Sequence, residues 1–355
     1  MDIRFVKRKN LKEKPKDALG FGTKFTDYVF NMDWDEDEGW HDAEIVPYDD
    51  VKMDPASMVL HYAQATFEGL KAYKGADGNY YLFRPYMNAK RFINSNKRLC
   101  LPELPEDLFV ESIKELVKLE KDWIPEGEGE SLYIRPFMYA KEVKLGVAPS
   151  KSYRFSIILS PVGAYYPQGM APVKIYVEDE LTRASLGGTG FAKCAGNYAA
   201  SLLGQVKAEK LGYTQVLWLD GVERKYVEEV GSMNAMFLID DTVITAPAGE
   251  TVLPGVTRDS VIKILKDKGI KVEEKHLHID DLMAAAKDKR LKEAWGTGTA
   301  AIISPIGELF YKGEEEIIND FKTGELTQEI YDTLTDIQWA RSEDKYGWRE
   351  KIDID

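Results

Sequence analysis

The chain of 355 residues carries 47 lysine and arginine residues against 60 aspartate and glutamate residues, so its formal net charge is −13 at pH 7. Because proteins that bind nucleic acid concentrate positive charge on one surface, this acidic balance argues against a nucleic-acid partner. No apolar run approaches the roughly 18 residues that a membrane span requires. The sequence therefore predicts a cytoplasmic protein with no membrane partner.

The part of the chain before residue 162 is predicted to contain short strands and amphipathic helices. A dense positive run from Lys7 to Lys16 precedes them and is expected to be a solvated arm. Short apolar or alternating runs predict strands, and longer periodic patterns predict helices. The predicted strands are residues 57–62, 80–84, 132–139 and 154–161, and the predicted helices are residues 88–99 and 106–123.

The part after Pro172 alternates strands with helices in the same way. Strands are predicted in KIYVED, QVLWLDG, KYVEEV, AMFLID and TVITAP, and helices at residues 197–210, 258–268, 280–287 and 327–341. The Gly- and Pro-rich stretch SPVGAYYPQGMAP at residues 160–172 is the best linker candidate. We therefore predict an α/β chain of the α+β type with a smaller N-terminal α/β domain at 1–162, an interdomain loop at 163–172 and a larger C-terminal domain at 173–355.

Metal binding is not predicted. The two cysteines, Cys100 and Cys194, form no CxxC pair, so neither a zinc site nor a disulfide framework is expected. His276 and His278 alternate just before an acidic helix start, which is typical of an ordinary strand end.

Lys193 stands out because it lies among small and apolar residues, in GGTGFAKCAGNYAAS at residues 187–201. The stretch is not a Walker loop, since Ala192 and not glycine precedes the lysine, and it is not a GxGxxG fingerprint. A lysine in an apolar setting loses its proton more easily than one in water, and a neutral amine can attack a carbonyl to form a Schiff base. A solvated lysine on a glycine-rich loop is the alternative.

Two further stretches favour the covalent role. Glu229 ends an apolar strand just before a Gly-Ser turn, and LPGVTRD at residues 253–259 places backbone N–H groups and Thr257 at a helix start. A helix N-terminus with a hydroxyl is suited to a phosphate group. A lysine for an aldehyde, a carboxylate for a pyridinium nitrogen and a phosphate site together match pyridoxal 5'-phosphate.

The ordered set of motifs resembles the branched-chain amino-acid aminotransferases of class IV, which have the two-domain D-amino-acid-aminotransferase-like fold (PLP fold type IV). The resemblance runs from about Phe21 to Arg341. Its motifs are FEGLKAY (67–73), FRPYMNAKRF (83–92), LYIRPF (132–137), GGTGFAKCAGNY, EVGSMN, LPGVTRD and GTGTAAIISPIG (296–307).

The resemblance implies a role for each of several cofactor-binding residues, and it makes the C-terminal domain the cofactor-binding one. Lys193 is similar to the catalytic Schiff-base lysine that also moves the α-proton, and Glu229 to the partner of the pyridine nitrogen. The other cofactor contacts implied are Tyr198 to the 3′ oxygen, Arg91 to the phosphate, Leu253 to the ring, and Val256, Thr257 and Thr299 to the phosphate.

The substrate pocket is also partly predicted. The strand period of two sends Tyr133 and Arg135 to the same face, which suits a pocket with both an apolar wall and a cation. Val147 resembles a residue contributed by a neighbouring subunit, so a homodimer is expected. The resemblance implies further pocket positions at Tyr62, Phe67, Phe21 or Phe25, Tyr165 or Tyr166, Ser232 and Ala300.

The predicted function is amino-group exchange between L-leucine, L-isoleucine or L-valine and 2-oxoglutarate through a pyridoxal phosphate Schiff base. Two enzymes of the same fold, D-amino-acid transaminase and aminodeoxychorismate lyase, share the lysine and the glutamate and remain alternatives. A more remote alternative is a non-catalytic protein that binds the cofactor for regulation. The presence of both Lys193 and Arg135 favours the enzyme.

Overall fold

The computed structural model describes residues 2–15, 19–163 and 170–354. Within these residues, no helix has both the length and the apolar character that crossing a membrane requires. The strands are β1 Arg4–Phe5, β2 Tyr28–Asp35, β3 Gly39–Pro47, β4 Ala65–Phe67, β5 Leu70–Lys74, β6 Tyr80–Phe83, β7 Ser131–Ala140, β8 Ser152–Val162, β9 Val173–Glu178, β10 Gln215–Leu219, β11 Val227–Val230, β12 Met233–Ile239, β13 Thr242–Thr245, β14 Lys271–Glu274, β15 Leu291–Gly298, β16 Ile302–Tyr311, β17 Glu314–Ile317 and β18 Arg349–Ile352. The α-helices are α1 Met58–Tyr62, α2 Pro85–Arg98, α3 Glu106–Leu119, α4 Ala195–Lys210, α5 Val256–Asp267, α6 Ile279–Lys287 and α7 Glu325–Gln338.

The chain forms two compact units. Unit 1 consists of Met1–Tyr165, Ala192–Ala195 and Asp336–Asp355. Its sheet has the strand order β1-β3-β2-β8-β7-β5-β6-β18, with β4 paired to β7. All of its pairings are antiparallel except that of β1 with β3.

One face of the unit 1 sheet is covered by α2 and α3. Phe109, Ile113 and Leu116 follow the helical spacing on α3 and pack, fully buried, with strand residues such as Ile134 and Ile157. Because strand side chains alternate between faces, the residues on either side of Ile134 point away from this core. Tyr133 and Arg135 of β7 therefore lie on the opposite face of the sheet, which is more polar.

Unit 2 consists of Tyr166–Phe191 and Gly196–Thr335. Its sheet has the order β11-β10-β9-β16-β15-β12-β13-β14, with β17 paired to β16. Since β11 also pairs with β12, six strands form a closed ring. The apolar residues Leu282, Ala285 and Ala286 of α6 pack into the core of this unit.

The first half differs from the predicted elements in one wrong assignment and in several strands that were not predicted, among them β1, β4 and β5. Residues 57–62, predicted as a strand, form the short helix α1, which ends at Ala63 with a left-handed φ of 48°. A short apolar run does not distinguish a strand from a buried helix turn by itself, and that prediction was wrong. The hairpin of β2 and β3 was not predicted.

The compact units also differ from the sequence-based domain division. Ala192–Ala195 and Asp336–Asp355, which that division assigns to the second domain, group with unit 1. The physical reason is pairing at long range, because β18 pairs antiparallel with β6, with Arg349 opposite Phe83. Of the predicted interdomain loop at 163–172, residues 164–169 lie outside the described part of the chain, as do Tyr165 and Tyr166.

The sequence predicts that the basic N-terminal segment is a solvated arm. In the structure this segment is instead held against the protein. The backbone N–H of Lys12 donates to Asp27 Oδ1 at 2.7 Å, and its ammonium donates to the carbonyl of Thr26 at 2.7 Å. Arg8 lies 3.6 Å from the same Asp27 carboxylate, which is almost fully buried. A buried acid requires such partners, so Asp27 anchors the segment.

Candidate active site

Lys193 lies in unit 1, on a short segment that is held from two sides. Its carbonyl accepts the N–H of Phe67 on β4 at 3.0 Å, and its own N–H donates to Ser95 Oγ on α2 at 2.9 Å. The flanking Ala192 and Cys194 are buried. These contacts fix the backbone, so the direction of the lysine side chain is set by the fold of unit 1.

The ring of Phe67 lies next to two cations. The Lys193 ammonium nitrogen is 5.0 Å from the ring centroid, and the Arg135 guanidinium carbon is 4.8 Å from it. Arg135 also donates from Nη2 to the hydroxyl of Tyr133 at 3.1 Å. The structure thus brings Lys193, Phe67, Tyr133 and Arg135 together, and the period of β7 places the last two on one face as expected.

Arg135 carries a buried donor without a hydrogen bond. Its Nε–H makes none in the part of the chain that the structure describes. An unsatisfied buried donor costs free energy, so its presence beside an aromatic wall is typical of a ligand site.

Phe21 and Phe25, left as alternatives by the sequence, have different surroundings. The Phe21 ring meets that of Tyr133 edge-on at 5.1 Å, whereas Phe25 stacks on Tyr48 at 5.1 Å. Phe21 is therefore the one next to the Tyr133 cluster. Gly69 lies against the same tyrosine, and a Cβ at that position would collide with the Tyr133 hydroxyl.

Arg91 forms a buried, two-point ion pair with Glu68. Its Nε and Nη2 donate to the two carboxylate oxygens, both at 2.8 Å, and Asn88 donates to the same carboxylate at 2.8 Å. Burial by itself would raise the pKa of Glu68, but the charge and hydrogen bonds of Arg91, with a contribution from Lys193, lower that pKa below its usual value. The guanidinium is thereby held in one orientation.

Glu229 is a buried carboxylate of unit 2. Its Oε1 accepts the N–H of Leu253 at 2.9 Å and the side-chain amide of Asn234 at 3.2 Å, while the Nε of Arg183 lies 3.1 Å from Oε2. Asn234 also donates to the carbonyl of Leu253 at 2.9 Å. Strand pairing explains the arrangement, because Glu229 on β11 lies opposite Asn234 on β12.

The start of α5 follows Leu253 closely. Gly255 is the N-cap, and Val256 and Thr257 form the first turn, both buried. A Cβ on Gly255 would collide with the side chain of Asn234, so glycine permits this close approach. The N-terminal turn of a 12-residue helix is a suitable site for an anion.

The remaining predicted residues of unit 2 lie on turns and on α4. Ser232 is exposed between β11 and β12, and Thr299 and Ala300 lie on the turn between β15 and β16. Tyr198 lies in the first turns of α4 and is partly buried. The roles of these residues in binding cofactor and substrate stay predictions.

Two predicted pocket residues lie on an exposed surface of unit 1. The Tyr62 hydroxyl donates to the carbonyl of Leu145, and Val147 is 82% exposed. A valine so exposed makes little contact within its own chain. Its position is compatible with the predicted contribution to a neighbouring subunit.

Three buried polar residues at these sites were missed by the sequence analysis, namely Glu68, Arg183 and Asn234. Glu68 and Asn234 fall inside the motifs FEGLKAY and EVGSMN, where a polar residue within an apolar run was an available signal. Arg183 had no such signal, because its partner Glu229 lies 46 residues further along the chain (229 − 183).

One group of potential metal ligands occurs among the described residues, away from the predicted site. Asp35, Glu38 and His41 lie together on the hairpin of β2 and β3. His41 already forms an ion pair with Asp35 at 2.9 Å, and the group is partly exposed. Such exposed acidic clusters are common, and this one indicates no metal site.

Comparison with known proteins identifies the family. Residues 65–309 match the model of the class IV amino-transferases. The probable branched-chain-amino-acid aminotransferase of Staphylococcus epidermidis is 54% identical over 352 residues, which cover 99% of this chain and 98% of that relative.

Solved structures agree with this match. The branched-chain amino acid aminotransferase of Escherichia coli superimposes with a TM-score of 0.78 at 27% identity, over 92% of this chain and 99% of that one. Another solved branched-chain amino acid aminotransferase, complexed with N-(5'-phosphopyridoxyl)-L-glutamate, has a TM-score of 0.76 at 27% identity, over 91% and 98% of the two chains. The predicted fold class is confirmed, and the chain belongs to the class IV aminotransferases.

Proposed function

We propose that this aminotransferase exchanges the amino group between L-leucine, L-isoleucine or L-valine and 2-oxoglutarate, with pyridoxal 5'-phosphate as its cofactor. The names of the relatives support the substrate class, since they are branched-chain aminotransferases. The solved complex with a phosphopyridoxyl glutamate supports the cofactor and the second substrate.

One observation carries the proposal, and it is the position of Phe67 next to both Lys193 and Arg135. A transaminase must accept an aliphatic side chain in one half-reaction and a carboxylate side chain in the other. An aromatic ring supplies an apolar wall for the first, and the unbonded Nε–H of Arg135 supplies a donor for the second. Both lie within reach of one lysine.

The residues present fit pyridoxal phosphate chemically. Arg91 and the first turn of α5 suit a phosphate dianion, Glu229 suits a protonated ring nitrogen, and Lys193 suits an aldehyde. When bound, this cofactor supplies an aldehyde that takes up and releases amino groups and a ring that accepts electrons. The buried, fixed carboxylate of Glu229 and the orientation of Arg91 by Glu68 support the fit.

The proposed roles then follow for the chain's own groups. Lys193 holds the cofactor through Nζ and moves the proton at the substrate α-carbon. Glu229 keeps a proton on the ring nitrogen. The other predicted contacts, proposed with the same roles as above, are Tyr198, Leu253, Val256, Thr257 and Thr299 for the cofactor, and Tyr62, Ser232, Ala300 and the neighbouring subunit's position 147 for the substrate.

Contacts at the α-carboxylate and at the side chain are proposed to orient the substrate. We propose that backbone groups of the turn at residues 296–300 bind the α-carboxylate, while the side chain faces Phe67 and Tyr133. Arg135 then meets the distal carboxylate of glutamate or 2-oxoglutarate. This arrangement favours L-amino acids, and D-amino acids should react poorly.

Half-reaction rates with L-leucine, L-glutamate and D-alanine test the proposal. The wild-type protein should be yellow and react with both L-amino acids, whereas Lys193→Ala should lose the colour and nearly all exchange. Lys210→Ala, at the exposed end of α4, is the matched control and should behave as wild type. Arg135→Ala should slow L-glutamate more than L-leucine, by a factor that corresponds to about 1.5–3 kcal/mol for a charged hydrogen bond.

Three results would contradict the proposal in different ways. Amino-group exchange by Lys193→Ala at the wild-type rate would show that Lys193 is not the catalytic lysine. Equal losses of half-reaction rate for L-leucine and L-glutamate in Arg135→Ala would show that Arg135 does not bind the distal carboxylate. Fast D-alanine with slow L-leucine would favour the D-amino-acid transaminases of the same fold.

The homodimer and the cytoplasmic location stay predictions. The exposed Val147 supports the first, because a residue that lines a neighbour's pocket must leave its own chain's core.

A further inference from the structure

Arg183 is a buried arginine in unit 2 that lies against Glu229. Its side chain is 8% exposed, and its Nε is 3.1 Å from Glu229 Oε2. Its Nη2 donates to the carbonyl of Thr251. The Nε–H makes no hydrogen bond of normal geometry in the described part of the chain, so the contact with Glu229 is a close charge pair.

The opposite oxygen of Glu229 is held by different groups. Leu253 N–H and the Asn234 amide both donate to Oε1, at 2.9 and 3.2 Å. Neutral donors thus fix one oxygen while a cation lies beside the other. A carboxylate with both oxygens restrained keeps a single orientation, which a partner group can meet without rearrangement.

A second buried acid, Glu228, lies next in the chain and increases the need for positive charge. Burial raises the pKa of Glu228; a hydrogen bond to Thr251 and the charge of Arg183 oppose that rise, while the charge of Glu229 adds to it. Two adjacent buried carboxyl groups repel one another when both are ionised. The Arg183 guanidinium offsets this repulsion at the position where Glu229 must stay ionised.

We propose that Arg183 is a positioning residue that keeps Glu229 in its ionised form and thereby keeps the shared proton on the cofactor's ring nitrogen. This inference rests on the proposed role of Glu229. A proton shared between a nitrogen and a carboxylate resides on the more basic partner. A cation at 3.1 Å stabilises the anionic carboxylate, makes it the weaker base and so leaves the proton on nitrogen.

The protonation of the ring nitrogen can be measured directly. Wild type, Arg183→Gln and Arg183→Lys would be loaded with pyridoxal phosphate labelled with nitrogen-15 at the ring, and the chemical shift of that nitrogen followed against pH. In wild type the ring nitrogen should stay protonated at neutral pH. In Arg183→Gln its signal should move toward the unprotonated position. The half-reaction with L-leucine should slow about 10- to 100-fold, the range seen when the partner that orients a metal ligand is removed.

A matched control separates this effect from general loss of a buried ion pair. Lys207 lies 3.3 Å from Glu178, a fully buried carboxylate of the same unit. Lys207→Gln removes the cation from a buried acid just as Arg183→Gln does. It should leave both the nitrogen signal and the leucine half-reaction at wild-type values. Arg183→Lys keeps the charge and should recover most of the protonation.

Clear outcomes overturn the inference. A folded Arg183→Gln that keeps the wild-type nitrogen signal and rate shows that Arg183 does not control the proton. If Arg183→Gln does not fold, Arg183→Met decides, since it removes the charge but fills the buried space with a flexible apolar side chain. A ring nitrogen that titrates as in wild type in Arg183→Met overturns the inference. A wild-type protein that neither binds pyridoxal phosphate nor reacts with L-leucine overturns the proposed function as well, which distinguishes the two failures.

Discussion

At the scale of single residues, the candidate site residues of unit 1 and unit 2 have one feature in common. Each pairs a buried carboxylate with an arginine, Glu68 with Arg91 in unit 1 and Glu229 with Arg183 in unit 2. Such pairs contribute little net stability, because removing charges from water costs about as much as their attraction returns. Their effect is to hold a charged group in one place, which is what a phosphate or a ring nitrogen requires.

Glu68→Gln should therefore destabilise the protein and weaken cofactor binding together. The change leaves the Arg91 guanidinium buried without its counter-charge, and breaking a buried pair from one side typically costs about 3–5 kcal/mol. The unfolding free energy from chemical denaturation and the dissociation constant for pyridoxal phosphate measure the two effects. Glu103→Gln, which breaks an exposed pair with Lys97, should change neither. A normal cofactor affinity in Glu68→Gln would show that the pair does not orient Arg91.

At the scale of elements, helix α3 ends in a buried acid. Glu120, just after Leu119, accepts the N–H of Tyr28 at 2.6 Å and lies near Asp27, which anchors the N-terminal segment. Burial is the main cause that raises the pKa of Glu120 to about 7, and the charge of Asp27 adds to it. The end of α3, the start of β2 and the N-terminal segment thus meet around two carboxyl groups.

The stability of the protein should depend on pH through Glu120. Between its ordinary pKa of 4.5 and about 7, the folded protein keeps a proton that the unfolded chain releases. The stabilisation is thus complete below the lower value and is lost as pH rises through the higher one. Glu120→Gln should consequently raise the free energy of unfolding above pH 7 by up to about 3 kcal/mol and change it little at low pH.

Denaturation midpoints across this pH range check the Glu120 prediction. Glu115→Gln, an exposed carboxylate on the same helix, is the control and should leave the profile unchanged. A Glu120→Gln profile parallel to wild type would show that folding does not raise the pKa of Glu120.

At the scale of the whole molecule, the chain returns to unit 1 at its end. Strand β18 extends the first sheet beyond β6, and Ile352 is fully buried in the core of that unit. The last residues are thus structural and complete the unit that carries Lys193.

Ile352→Ala should accordingly destabilise the protein by about 2–5 kcal/mol, the usual cost of truncating a fully buried aliphatic side chain. Lys351→Ala on the same strand is the control, because that side chain is exposed and its loss should have little effect. Thermal and chemical denaturation of both variants measure the difference. Similar small losses would show that β18 does not stabilise unit 1.

The exposed apolar surface of unit 1 is the candidate interface of the proposed homodimer. Leu60, Val143, Leu145 and Val147 are all more than half exposed. Leu145→Asp should shift the protein toward the monomer in sedimentation velocity, because a charge in an apolar interface loses its hydration. Val222→Asp, at an exposed valine of unit 2, should keep the wild-type mass. An unchanged mass for Leu145→Asp would exclude this surface as the interface.

The sequence alone determined the features that depend on short stretches of chain. Helix and strand periods come from local backbone geometry, so most of the predicted elements are found within a few residues of their predicted bounds, whereas β14 to β18 were not predicted. The same period placed Tyr133 and Arg135 on one face of β7. Lys193 and Glu229 were selected as candidate site residues because each interrupts an apolar or small-residue run, where a charged residue is unusual.

Tertiary structure alone decided what depends on contacts between distant parts of the chain. The pairing of β18 with β6, the choice of Phe21 over Phe25 beside Tyr133, and the partnership of Arg183 with Glu229 all join segments far apart in sequence. No local pattern specifies such partners, because they form only after long loops have closed and a shared core has excluded water. The local sequence indicates the candidate reactive groups, and the packing of each unit determines which charged side chains lie against Arg91 and Glu229.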